Sequence, residues 1–123
     1  MRLRAAAALL AAVTVGMGAF GAHGLKARFL AEPGAGGWWE TATFYLLVHA
    51  VAVAAVPAGS RWPRLALLLG AAVFAGTLYA MALGAPRWLG AITPLGGTAL
   101  ILGWLGLSRE WLGRRAEKGD AAD

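Results

Sequence analysis

Four long runs of the chain carry no Asp, Glu, Lys or Arg, and short charged segments separate them. The uncharged runs cover residues 5–22, 41–60, 65–86 and 88–108. A helix needs about 20 mostly apolar residues to cross a bilayer, within a range of roughly 17–25. The pattern predicts an all-α membrane protein, an antiparallel bundle of four transmembrane helices. Residues 1–110 would form this domain, with spans at 5–22, 41–58, 65–85 and 88–108, and residues 111–123 a polar cytoplasmic tail.

The first run also has a second interpretation. Arg2 and Arg4 precede the apolar stretch, and the sequence AFG at residues 19–21 resembles a signal-peptidase site. This arrangement is typical of a cleaved signal peptide over residues 1–21. Because the uncharged stretch is long enough to span, we expect a transmembrane helix here instead.

Composition agrees with a membrane location. Hydrophobic residues make up 59% of the 123 residues and charged residues 14%, whereas soluble domains carry about 25% charged residues. The absence of cysteine excludes disulfides, thiolate metal sites, iron–sulfur clusters and cysteine nucleophiles. The net charge of +5 lies in short clusters between the apolar runs, which favours contact with anionic lipid over nucleic-acid binding.

The basic residues also predict an orientation. Four spans place both termini on one side, and that side holds eight Lys and Arg residues against three on the other. The positive-inside rule then puts both termini in the cytoplasm of a bacterial plasma (inner) membrane. Tryptophans agree, because Trp38, Trp39 and Trp88 fall at the outer boundary and Trp62 and Trp111 at the inner one.

Small residues recur at helical spacing in three of the spans. Such stripes let helix backbones approach closely, which matters because lipid supplies no hydrophobic drive between helices. Two uses stay open: ordinary packing within the chain, or an oligomer contact made by one stripe. The candidate packing residues are Gly16 (after Ala8 and Ala12), Ala72, Gly76, Ala80, Gly96 and Gly103.

The first loop begins at His23, near the outer boundary. A polar ring needs no buried partner there, so we expect His23 to anchor the loop rather than to bind a ligand. Apolar residues alternate with Lys26 and Arg28, which predicts a short amphipathic helix at the outer surface. Pro33 and the glycines after it would end that helix.

Polar side chains of the last three spans fall in one layer of the outer half of the membrane. At a rise of roughly 1.5 Å per residue, they lie about 6–12 Å below the outer boundary. Thr93 before Pro94 also reads as an N-cap with proline at the first helical position, so the fourth span can be broken there. The layer contains Tyr45, His49, Thr77, Tyr79, Thr93 and Pro94.

Three interpretations of this layer are open. It can be a hydrogen-bond network that holds the helices together, an outward-facing pocket for a small ligand, or a metal or haem site at His49. The two histidines lie roughly 10 Å apart along the axis, and no span contains Asp or Glu. We therefore expect no metal and no cofactor. No nucleophile–base pair, phosphate loop or carboxylate dyad occurs, so we do not expect an enzyme.

Several segments together resemble a known family. They are GAFGAHGLK at 18–26, ETATFYLLVHA at 40–50, FAGTLYAMAL at 74–83 and ITPLGGTALILGW at 92–104. In this order they resemble the domain-of-unknown-function 423 family, small bacterial inner-membrane proteins with a related eukaryotic family. The resemblance implies a membrane location and about four spans, but no activity, substrate or cofactor. Leu47 and Thr77 depart mildly from the family pattern, and an apolar Leu47 makes a wet site at His49 less favourable.

These observations lead to one functional expectation and one alternative. The first is a non-enzymatic membrane protein, either an accessory subunit of a larger membrane complex or a self-associating protein. Its expected partners are the lipid bilayer and either itself or a larger membrane complex, and not nucleic acid. The alternative is a small transporter or channel-like protein with an outward-facing pocket around His49.

Overall fold

The chain folds into helices throughout. A computed structural model describes residues 2–122 of the protein, and no strand occurs in that range. The all-α prediction is therefore confirmed. The elements are α1 (Arg2–Gly24), α2 (Lys26–Ala31), α3 (Ala35–Ala55), α4 (Arg61–Ala82), a 3₁₀ helix (Arg87–Ala91) and α5 (Thr93–Asp120).

The first loop contains the expected short helix, α2, and ends sooner than predicted. Gly34 has a φ of +91° at the N-cap of α3, a conformation that favours glycine. Helix α3 then begins at Ala35, ahead of the predicted start at residue 41. The predicted span began after Glu40 because that residue is charged. In the structure the Glu40 side chain is exposed on the surface of α3, so its charge does not interrupt the helix.

Helix α4 ends in a Schellman motif. Gly84 has a φ of +106°, its amide donates to the Met81 carbonyl (3.1 Å), and the Ala85 amide donates to the Ala80 carbonyl (2.9 Å). These bonds satisfy carbonyls that the helix end leaves unpaired. Pro86 follows, so the chain turns into the 3₁₀ helix instead of continuing α4.

The predicted N-cap at Thr93 is wrong. The N-cap of α5 is Ile92, which keeps a helical conformation (φ −85°, ψ −30°) and makes no side-chain cap bond. Thr93 already belongs to the helix, and its hydroxyl bonds to Thr77 instead (2.7 Å). Pro94 does lie in the first turn. The fourth apolar run is thus a 3₁₀ helix followed by an α-helix, and α5 continues through residues 111–120, predicted as a polar tail.

Contacts between residues show that neighbouring helices are antiparallel. Arg4 at the start of α1 bonds to the carbonyl of Ala54 at the end of α3 (2.8 Å). Thr43 early in α3 bonds to Tyr79 late in α4 (2.8 Å), and Arg64 early in α4 pairs with Glu110 late in α5 (3.0 Å). The starts of α1 and α4 therefore lie at the same end of the molecule as the ends of α3 and α5.

The antiparallel helices are arranged as an open row among residues 2–122. Helix α1 packs on α3, α3 on α4, and α4 on α5, whereas α1 and α5 are not in substantial contact. Burial follows this order: the apolar window of α4 is 50% buried, against 17% for α1 and 22% for the last segment. One long face of α1 consequently has no neighbour within the described chain.

Glycines set the close packing of α4 on α5. A Cβ at Gly96 would lie 2.5 Å from the Phe74 amide nitrogen, and a Cβ at Gly103 would lie 3.0 Å from the Pro63 carbonyl oxygen. Both glycines are buried. The α5 stripe therefore packs within the chain, with backbone facing backbone.

The other two predicted stripes lie mostly outside the helix contacts among residues 2–122. Gly16 and Gly76 have no neighbouring atom within 4 Å of a built Cβ, Ala72 is exposed, and Ala80 is half-buried. A helix presents only one side to its neighbour, and α1 and α4 use other residues there: Ala7 and Thr14 in α1, and Gly70, Ala71 and Ala75 in α4.

Within residues 2–122, three helical segments are long and apolar enough to cross a membrane: Arg2–Gly24, Arg61–Ala82 and Arg87–Asp120. Helix α3 is not among them. It carries Glu40, Tyr45 and His49, whose polar side chains lower its mean hydropathy.

Candidate functional site

Trp39 forms the centre of the contacts among α1, α3 and α4. Its side chain is 2% exposed, and its indole nitrogen donates to the Met17 carbonyl (2.9 Å). A Cβ at Gly21 would collide with this indole, so glycine is required where α1 crosses Trp39. The sequence placed Trp39 at the membrane boundary as a headgroup contact, but its ring lies in the core.

Tyr79 joins this centre through its ring and its hydroxyl. The ring packs edge-on against Trp39 with a centroid distance of 4.5 Å. The hydroxyl lies 2.8 Å from the Thr43 hydroxyl, which itself lies 2.8 Å from the Trp39 carbonyl. Because a carbonyl only accepts, Thr43 donates to it and Tyr79 donates to Thr43. Sequence reasoning missed Thr43, although it precedes Tyr45 in the same apolar run.

His49 is buried and bonded within its own helix. Its Nδ1 donates to the Tyr45 carbonyl (2.6 Å), so the proton resides on Nδ1. The Tyr45 ring stacks over it (5.9 Å), and Trp104 of α5 meets it edge-on (6.0 Å). The rings of Tyr45 and Trp104 therefore flank the imidazole of His49.

Thr77 and Thr93 form a third polar pair. Their hydroxyls lie 2.7 Å apart and join α4 to the start of α5. Thr77 also bonds to the Phe74 carbonyl (3.0 Å). Pro94 is exposed.

The structure therefore divides the predicted polar layer into separate pairs. It joins Thr77 to Thr93, gives Tyr79 the partner Thr43, and leaves His49 with Tyr45 of its own helix. No hydrogen bond connects these pairs among residues 2–122. His23 lies exposed in the last turn of α1, and its ring bonds to no residue within the same range.

A groove of about 700 Å³ opens between α1, α2 and α3. Its walls are mainly apolar, and Lys26 and Glu40 supply its charged groups. The Trp39 indole and the Thr43 hydroxyl that face it are already paired, as described above. The lining residues are Gly18, Gly21, Ala22, Lys26, Phe29, Leu30, Trp39, Glu40, Thr43 and Phe44. Such a groove suits an acyl chain or an apolar side chain rather than a polar metabolite.

An arginine–glutamate cluster lies at the end of the molecule where α4 starts and α5 ends. The sequence analysis did not identify it. Arg64 is 4% exposed and pairs with both Glu110 oxygens, at 3.0 and 3.3 Å. It also donates to the carbonyls of Ser60 (2.6 Å) and Pro57. Arg114 bonds to Glu110 (2.6 Å) and to the Ala58 carbonyl (2.7 Å).

This cluster fixes the α3–α4 loop against α5. The hydrogen bond from Arg64, helped by the charges of Arg64 and Arg114, lowers the pKa of Glu110 below its ordinary value against the opposing effect of desolvation. A signal was present in the sequence: Glu110 is the single acidic residue between Glu40 and Glu117, at a span end otherwise rich in arginine.

Within the described part of the chain, no group of three or more His, Asp or Glu side chains could hold a metal ion. Two hydroxyl pairs, Thr43 with Tyr79 and Thr77 with Thr93, join neighbouring helices, and the cluster around Glu110 holds the α3–α4 loop to α5.

Comparison with known proteins gives a family. The model of the family described as "Protein of unknown function (DUF423)" matches residues 17–97. This result confirms the resemblance found in the sequence motifs. No solved structure matches the chain significantly.

Curated relatives agree with that match. A UPF0382 membrane protein of Staphylococcus saprophyticus is 41% identical over 109 residues, which cover 80% of this chain and 86% of the relative. One from Schizosaccharomyces pombe is 38% identical (80% and 91%), and the inner membrane protein YgdD of Escherichia coli is 32% identical (80% and 79%). Family model and relatives together show that this chain belongs to the DUF423 family and is, like its UPF0382 relatives, a membrane protein.

Proposed function

We propose that the protein crosses the plasma membrane four times, with both termini in the cytoplasm. Helix α3 supplies the fourth span, because it lies antiparallel between α1 and α4, which are both apolar enough to cross. His49 is buried, bonds to the Tyr45 carbonyl and packs against Trp104, which lowers the cost of its polar ring in a bilayer. The excess of basic residues at the end that holds both termini supports the orientation, and the relative YgdD is named an inner membrane protein.

Cysteine labelling tests this orientation, since the chain has no cysteine of its own. In intact bacterial cells, a membrane-impermeant maleimide is expected to label Ala31→Cys, in α2, and to leave Gly119→Cys, near the end of α5, unlabelled until the cells are permeabilised. Both sites are exposed. Labelling of Gly119→Cys with Ala31→Cys protected would reverse the orientation, and labelling of both in intact cells would make the number of spans odd.

Within this topology we propose a non-enzymatic role based on helix–helix association, with a second copy of the chain as the partner. One observation carries the proposal: α1 is the edge of an open row, and its outward stripe of Ala8, Ala12 and Gly16 is exposed. Among residues 2–122, no atom would lie within 4 Å of a Cβ placed on Gly16. Interfaces between membrane helices are enriched in such small residues because they let the backbones approach. Pairing of two α1 edges is the symmetric arrangement that most homo-oligomers adopt.

The polar layer supports this role more than it supports transport. Tyr79, Thr77 and Thr93 bond to one another or to Thr43, so these hydroxyls already have partners. The 700 Å³ groove is lined by other residues than His49. A transport path would need polar groups facing a water-filled cavity.

Disulfide cross-linking in native membranes tests the association. Ala12→Cys is expected to give a covalent dimer on oxidation, and adding Gly16→Leu to that variant is expected to reduce the dimer at least severalfold because the backbones can no longer approach. The matched control is Val13→Cys, which lies at the same depth and is 60% exposed in the wild type but points to another side of α1. Equal cross-linking of Ala12→Cys and Val13→Cys would indicate random collision and overturn the proposal.

A further inference from the structure

A second cavity, of about 260 Å³, lies where the starts of α1 and α4 meet the α3–α4 loop. We call it the arginine cavity, because four of its lining residues are arginines and none is acidic. Leu3 of α1 and small or apolar residues of the α3–α4 loop form the rest of its wall. The lining residues are Arg2, Leu3, Arg4, Val56, Ala58, Gly59, Arg61 and Arg64.

The positive charge of this cavity is only partly balanced. Arg64 pairs with Glu110, whereas Arg2, Arg4 and Arg61 form no ion pair with an acidic residue in the range 2–122. Arg4 uses its Nε for the Ala54 carbonyl, which holds its guanidinium near the cavity. Like charges gathered in one concave site repel one another unless an anion lies between them.

Arg64 also places a buried positive charge beside the cavity. Its two terminal nitrogens donate to Glu110, Ser60 and Pro57, but its Nε is buried without any hydrogen-bond partner. An unpaired donor on a buried charged group is costly. Arg64 lines the arginine cavity, so an anion bound there offsets part of the cost of this buried charge.

Backbone groups add to the positive potential. Helices α1 and α4 both begin at this cavity, at Arg2 and Arg61, and no side chain caps the first turn of α4. The first amides of a helix have no partner within the helix and carry partial positive charge. Helix starts combined with arginines form an arrangement that proteins use to bind phosphate.

We propose that the arginine cavity binds a phosphate group, carried either by an anionic phospholipid headgroup or by free phosphate. A guanidinium binds phosphate through paired, parallel hydrogen bonds, and basic pockets between membrane helices accept lipid headgroups. The site is independent of the proposed self-association. Helix α1 contributes residues 2–4 to the arginine cavity and the stripe of Ala8, Ala12 and Gly16 to the proposed dimer contact.

Thermal unfolding of the purified full chain in a neutral detergent tests this site. Increasing amounts of dioleoyl phosphatidylglycerol are compared with dioleoylglycerol, which lacks the phosphate, and inorganic phosphate with chloride at equal ionic strength. A rise in melting temperature with inorganic phosphate identifies free phosphate as sufficient. A rise with phosphatidylglycerol alone identifies a lipid headgroup. No rise with either overturns the proposal.

Variants show whether the cavity is responsible. Arg61→Gln is expected to weaken the apparent affinity about tenfold, the loss of one charge-assisted hydrogen bond, and Arg2→Gln serves as a second variant. Arg109→Gln removes the same charge from an exposed position outside the cavity and is expected to bind as the wild type does. If all three variants bind alike, the attraction is nonspecific and the site is refuted.

Discussion

Replacing Glu110 with glutamine is expected to lower the free energy of unfolding by about 3 kcal/mol. The side chains of Arg64 and Glu110 are 5% and 12% exposed, and breaking a buried pair by removing one partner costs about 3–5 kcal/mol because the other charge is left buried. The partial exposure of Glu110 sets the lower end of that range. Denaturant-induced unfolding in mixed micelles, followed by tryptophan fluorescence, measures the change.

A second ion pair, at the opposite end of the folded molecule, provides a matched control. Arg87 and Glu32 also form an ion pair at 2.9 Å, but their side chains are 72% and 34% exposed. Exposed pairs contribute about 0–1 kcal/mol, so Glu32→Gln is expected to change stability little. Equal effects of the two substitutions would show that burial of the Arg64–Glu110 pair does not matter for stability.

The pH dependence of unfolding gives a second measurement of the same pair. Arg64 holds the pKa of Glu110 below its ordinary value in the folded protein. The resulting stabilisation is therefore complete above the ordinary glutamate pKa and is lost as the pH falls through the lowered value. The stability difference between wild type and Glu110→Gln is expected to shrink on acidification from about pH 5. A constant difference would contradict the assignment.

Replacing Gly96 with alanine is expected to lower the free energy of unfolding by about 1–3 kcal/mol, the usual cost of forcing extra volume into a close-packed contact. The new methyl group would lie 2.5 Å from the Phe74 amide nitrogen and 2.7 Å from the Gly70 carbonyl oxygen. Both are backbone atoms of α4, so relief requires α4 and α5 to move apart. Unfolding in the same mixed micelles measures the loss.

Gly97→Ala is the control for this prediction. A Cβ at Gly97 would meet the Phe74 ring at 3.8 Å, an ordinary contact, and alanine favours the helix over glycine by up to about 1 kcal/mol. We expect unchanged or slightly higher stability. If Gly96→Ala is as stable as Gly97→Ala, the α4–α5 spacing is not set by this glycine.

Local features of the chain were largely predictable. The uncharged runs gave the long helices, Lys26 and Arg28 among apolar residues gave α2, and Pro94 marked the first turn of α5. These features depend on composition and on residues close in sequence. Errors arose at helix ends: Glu40 lies inside α3, and Ile92 rather than Thr93 precedes α5.

Contacts between helices were less predictable. Depth along a span placed Tyr79, Thr77 and His49 in one layer, but depth says nothing about the direction in which a side chain points around its helix. Tyr79 turns toward α3 and Thr77 toward α5. The small-residue stripes show the same limitation. All three have helical spacing, but Gly96 faces a neighbouring helix, whereas Gly16 and Gly76 face outward.

The sequence by itself determined that this is a helical membrane protein of the DUF423 family, because runs of apolar residues and short motifs can be recognised from residues that are close together in the chain. Only the tertiary structure decided that the helices form an open row, that Trp39 and Arg64 are buried, and that four arginines line one cavity. These properties depend on how each helix rotates about its own axis and on which neighbour it meets. Residues 46 positions apart, such as Arg64 and Glu110, become partners only when α4 and α5 pack antiparallel.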